Sequence, residues 1–120
     1  MNRAVHSWIN EQHQRIISDT LRKLPFDVSV ELIPSLLETL DSCFSKEESE
    51  QTRLIQEWMQ QHKEDLNRPI HEWTTIITTL KQQIISSLKD HLAADIVLAE
   101  FGAIDKTMTL AMGQISRIAD

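Results

Sequence analysis

Residues 97–118 read VLAEFGAIDKTMTLAMGQISRI, and the fold class turns on that stretch. Val97, Phe101, Ile104, Met108, Ala111, Ile115 and Ile118 recur at alternating steps of four and three, the a/d spacing of a coiled-coil seam. Three heptads of it predict a long terminal helix. No Gly, Asn or Pro closes that helix across Arg117-Ile118-Ala119-Asp120, so the pattern predicts a helix that runs on, in phase, toward an output segment of a longer chain. Gly102 and Gly113 lie inside it. A helical glycine costs about 1 kcal/mol relative to alanine, so two of them predict a hinge or a close approach to a mate.

Composition points the same way. The 120 residues contain two glycines, three prolines and no tyrosine, too few turn-formers and β-formers for a sandwich or an α/β fold. The expectation is one all-α domain over residues 1–120, an antiparallel bundle of four to five helices with a long coiled-coil-like last helix. A net charge of −6 without a Lys/Arg cluster argues against nucleic acid. No apolar run approaches the roughly 18 residues of a membrane span, and the start has no signal-peptide core. One cysteine, Cys43, cannot make an internal disulfide, and a cytoplasmic protein is expected.

Working back to the start, a first helix is expected over about 3–24, with Val5, Trp8, Ile9, Ile16, Thr20 and Leu21 as its apolar face, ended by Pro25. Ser29 reads as the N-cap of a second helix carrying Val30, Ile33, Leu37, Leu40 and Phe44, with Pro34 predicting a kink or a later start. Ser45-Lys46-Glu47-Glu48 reads as a capping box opening a third helix, whose face is Leu54, Ile55, Trp58, Met59, His62 and Leu66. Asn67-Arg68-Pro69 breaks that helix and opens a fourth, with Trp73, Ile76, Ile77, Leu80, Ile84, Ile85 and Leu88 on its stripe. Run together, the fourth and fifth segments would make a helix of roughly 75 Å at 1.5 Å per residue. A turn at 89–95, capped by Asp90 or Asp95, is therefore expected.

Chemistry-bearing residues are sparse. Of the five histidines, His6, His13, His62, His71 and His91, none forms the i, i+4 pair of a zinc helix or the Glu-x-x-His of a di-iron bundle, so no metal and no cofactor is expected. Cys43 lies beside Phe44 with no Gly-rich loop to serve it, and reads as a small buried hydrophobe. His62 falls on an apolar face among tryptophans. Trp58, His62 and Trp73 are the candidate lining of an inter-helix pocket for a small apolar or planar ligand, against the ordinary reading of all three as core. His71-Glu72 is the opening of a kinase phosphoacceptor box, but Trp73-Thr74-Thr75 does not continue it.

Taken in order, several segments resemble the N-terminal helical domain of RsbT co-antagonist proteins of the RsbR/RsbRD type, which also precedes some sensor histidine kinases. They are Ser7-Trp8-Ile9-Asn10, Leu36-Leu37-Glu38-Thr39-Leu40, Ile70-His71-Glu72-Trp73, Leu80-Lys81-Gln82-Gln83-Ile84-Ile85 and Phe101-Gly102-Ala103-Ile104-Asp105-Lys106. The likeness spans nearly the whole chain as a helical profile. It implies a non-catalytic sensory module, dimeric, joined through its last helix to an output domain of the same chain. The alternatives are a histidine phosphotransfer protein using His71 and a plain helical adaptor.

Overall fold

The computed structural model describes the backbone of residues 3–118 and the side chains from Ser7 to Ile118. The expectations for Val5, His6, Ala119 and Asp120 lie outside the described residues. The chain is an all-α bundle, and six helices are found among the described residues: α1 (Arg3–Glu11), α2 (His13–Lys23), α3 (Leu32–Cys43), α4 (Glu48–Gln61), α5 (Ile70–His91) and α6 (Ala94–Ser116). A 3-10 turn, Asp65–Asn67, lies between α4 and α5.

The expected first helix is two. Gln12, at φ −96° and ψ 13°, leaves helical geometry between α1 and α2. The hydrogen bonds continue through the step, Gln12 N–H to the Trp8 carbonyl and Ile16 N–H to the Gln12 carbonyl. Ile16, Ile17, Thr20 and Leu24 are buried, whereas Leu21, expected in the core, is exposed.

The second helix starts two residues later than Ser29 suggested, with Glu31 as its N-cap. Val30, expected on the apolar face, is 87% exposed. Ser29 caps nothing and instead donates to Asp65 Oδ1 at 3.2 Å. The displacement follows from Pro34. With the first helical bond made by Ser35 N–H to the Glu31 carbonyl, Pro34 falls in the first turn, where the N–H it lacks has no intrahelical partner.

The capping box is absent as well. Glu47 is the N-cap of α4 and makes no side-chain cap bond. The Gln51 side-chain amide instead donates back to the Lys46 carbonyl at 2.8 Å, satisfying the turn before α4. At its other end α4 stops at His62, and Leu66, expected on that helix, is buried from the 3-10 turn. The turn between α5 and α6 falls where expected, at Leu92-Ala93, but the N-cap of α6 is Ala93, without a side-chain cap bond, so neither Asp90 nor Asp95 caps it.

α5 occupies the centre, with Trp73, Ile76, Leu80, Ile84 and Leu88 fully buried. α6 packs on α5, α4, α1 and α3. Lys81 Nζ reaches Asp105 Oδ1 at 2.6 Å across the α5–α6 pair. The cross-links Glu48–Lys106, Gln51–Thr107 and Gln56–Gln114 climb both helices together, so α4 and α6 run parallel, as alternate members of an up-and-down bundle do.

The seam that decided the fold is turned inward. Val97, Ile104, Met108, Ala111 and Ile115, five of its seven residues, are buried in this chain's own core. Phe101 (42% exposed) and Ile118 (59%) fall outside it. The seam as a whole is therefore not a free dimer face. The glycines need no mate either: a Cβ built on Gly102 or Gly113 meets nothing within 4 Å, and neither has a positive φ.

Candidate functional site

The three residues expected to line a pocket do come together. Trp58 on α4 stacks on His62, with ring centroids 4.9 Å apart and planes 24° from parallel. Trp73 on α5 meets Trp58 edge-on at 5.9 Å and 89°. They make a packed cluster rather than the walls of a shared cavity: Trp58 and Trp73 are buried, and Trp58 edges a shallow cleft with Ser35 and Leu54 that neither His62 nor Trp73 lines. Edge-to-face packing satisfies the rings' quadrupoles and leaves no room for a guest.

Polar partners lock this cluster. Trp58 Nε1 donates to Ser35 Oγ on α3 at 3.0 Å. His62 Nδ1 lies 3.2 Å from Asp65 Oδ2; an ionised carboxylate only accepts, so Nδ1 carries the proton in that bond. Asp65 also accepts from Ser29 through its other oxygen. Ser, Asp and His thus meet, but the carboxylate stands between hydroxyl and imidazole, an order in which the histidine cannot take the serine proton. Trp73 Nε1 is buried without a hydrogen-bond acceptor among the described residues.

The other singled-out residues are scattered. His71 is exposed on the first turn of α5, apart from the cluster. His91 packs its ring against Trp8 at 4.3 Å, and the Trp8 indole donates to Ser87 Oγ, so this pair ties α1 to α5. Cys43 is fully buried, and its thiol is pushed up to about 11, first by loss of solvent and second by the nearby Glu50 carboxylate. A thiol so held is not a nucleophile at neutral pH. Among the described residues no group of three or more His, Cys, Asp or Glu could hold a metal ion, and no helix is long and apolar enough to cross a membrane.

A wide opening lies beside the cluster, lined by Met59 and Lys63, the chain neighbours of Trp58 and His62. It is a cleft of about 590 Å³ between the C-terminal turns of α4 and α6 and the 3-10 turn. Met59, Leu66 and Ile118 supply its apolar lining, Gln56, Gln60, Asn67 and Gln114 its amides, and Lys63 and Arg117 its charges. Gln56 Nε2 donates to Gln114 Oε1 at 3.2 Å, joining the two helices beside it. Sequence reading missed this site because α4 and α6 are adjacent only through the parallel arrangement of alternate helices, which no local spacing reports. No protein-family model matches the sequence, and no curated protein or solved structure matches it either.

Proposed function

We propose that the chain is a non-catalytic sensory and dimerisation module of a bacterial signal-transduction protein, and that α6 is its output helix. The observation that carries the reading is the reach of α6, which packs on α5, α4, α1 and α3. A shift in any of those helices changes the packing α6 must satisfy, and packed cores switch between discrete arrangements rather than deforming smoothly. The likeness to RsbT co-antagonist sensory domains supports the same reading, with an output domain of a sensor kinase or stress-response regulator in the same chain. With five seam residues in the core, a second copy would meet α6 at Leu98 (76% exposed) and Phe101.

The test is a chimera in which α6 is continued in frame into the dimerisation and catalytic domains of a sensor histidine kinase. Autophosphorylation is expected to follow the heptad phase of the junction, changing on insertion of three or four residues and returning on insertion of seven. Output indifferent to phase would contradict the proposal. The phosphotransfer alternative draws on the exposure of His71 and predicts acid-labile phosphate on the chain after incubation with a phosphorylated response regulator or kinase, lost in His71→Gln.

A further inference from the structure

We propose that the cleft between α4 and α6 binds one small amphiphilic anion, a medium-chain carboxylate or a molecule of the same build. Its volume, about 590 Å³, lies in the range of ligand sites, which are mainly apolar with a few fixed polar groups. Met59 and Leu66 form a buried apolar base, and methionine adapts its shape to irregular hydrocarbon. An apolar tail lies against these two side chains and Ile118.

Charge selects the head group. The protein carries −6 overall; Arg53 is held by Glu50 and Glu57, Arg68 by Glu72 and Lys81 by Asp105, while the exposed Lys23, Lys46 and Lys89 make no ion pair among the described residues and line no apolar cleft between α4 and α6. Lys63 and Arg117 line the cleft and make no ion pair among the described residues. A cation just past a helix C-terminus does complement the dipole, which accounts for one such residue at the end of α4 and one at the end of α6. It does not account for both lining a single apolar cleft beside the Gln56–Gln114 amide pair. Both cations are exposed at the rim, where a carboxylate accepts charge-assisted hydrogen bonds from either and a neutral guest gains none.

The site gives the sensory reading a ligand class, because a guest there touches α4 and α6 together. Binding is nevertheless independent of relay, and the chimera and the titration fail separately. The titration follows methyl and amide NMR shifts of the whole chain with decanoate below its micelle concentration, with decyltrimethylammonium as the cationic control. Decanoate is expected to saturate one site at Met59 and Leu66, at least tenfold more tightly than the cation. Lys63→Gln/Arg117→Gln, changes at two exposed positions, is expected to weaken decanoate at least tenfold while the methyl spectrum of the core stays that of the folded parent. No saturable shift, equal binding of the two amphiphiles, or a double variant that binds like the parent would overturn the proposal. So would association with phosphatidylglycerol vesicles without saturable decanoate binding, which assigns the two cations to a membrane surface.

Discussion

The Thr107 hydroxyl on α6 donates a 2.9 Å hydrogen bond to the side-chain oxygen of Gln51 on α4, with both residues buried. Gln51 spends its amide N–H on the Lys46 carbonyl, so one side chain closes the α3–α4 turn and holds the last helix. Buried polar links of this kind fix register, since any slide of α6 leaves both partners unsatisfied.

Thr107→Val should therefore destabilise the bundle by about 1–3 kcal/mol, the cost of an unsatisfied buried acceptor. In urea unfolding, Gln51→Leu combined with Thr107→Val should cost less than the sum of the single changes, because the second removes a group already orphaned by the first. Strict additivity would show that the bond carries no coupling.

Gly102→Ala and Gly113→Ala should each stabilise the chain by about 0.5–1 kcal/mol, since the added methyl meets open space and the unfolded chain loses freedom. The sites lie about 16 Å apart along the helix, so the two gains should add. A loss at either position in thermal melts would restore the close-approach reading.

Cys43 should resist thiol reagents at pH 8, reacting at the rate of global opening. Its folded pKa, about 11, lies above the ordinary thiol value, so the folded state holds the proton more tightly than the unfolded one. The resulting stability is fully present below about pH 9 and is lost as pH rises toward 11, on the order of 3 kcal/mol at 1.36 kcal/mol per unit. Cys43→Ala should flatten that alkaline decline, and parallel declines in the two proteins would contradict the assignment.

The core positions separate sharply from the surface ones. Ile104→Ala, at a fully buried seam residue, should cost about 2–5 kcal/mol. Leu98→Asp, on the outer face, should leave the unfolding free energy in urea within about 0.5 kcal/mol of the parent while abolishing any concentration-dependent sedimentation.

Periodicity made the helices legible but not their ends. Trp73, Leu80, Ile84 and Leu88 could be read from spacing because a central helix has an apolar stripe that nothing local contradicts. Val30 and Leu21 misled for different reasons: Val30 precedes the first helical residue, Leu32, and Leu21 lies at the edge of the α2 face whose centre is Ile16 and Thr20. Ser29 and Ser45 carry the right hydroxyl for a cap, yet Pro34 sets the start of α3, Asp65 takes the Ser29 hydroxyl, and Gln51 closes the turn before α4. The tryptophan cluster was visible as a set of faces. Whether it enclosed a space depended on the 89° crossing of Trp58 and Trp73, a tertiary fact. The seam of α6 has the same spacing whether it packs within one chain or between two, so its partner became known only from the burial of Ile104, Met108 and Ile115.

The central claim is that α6 is at once part of the core and bonded to the helix beside it, so that its state reports the state of the bundle. Native-state hydrogen exchange on the whole chain tests this most directly. The amides of Met108, Ala111 and Ile115 should exchange with the same opening free energy as those of Leu80 and Ile84 on α5, and Thr107→Val should lower both together. Exchange of α6 at the rate of an isolated helix, with α5 still protected, would contradict the account.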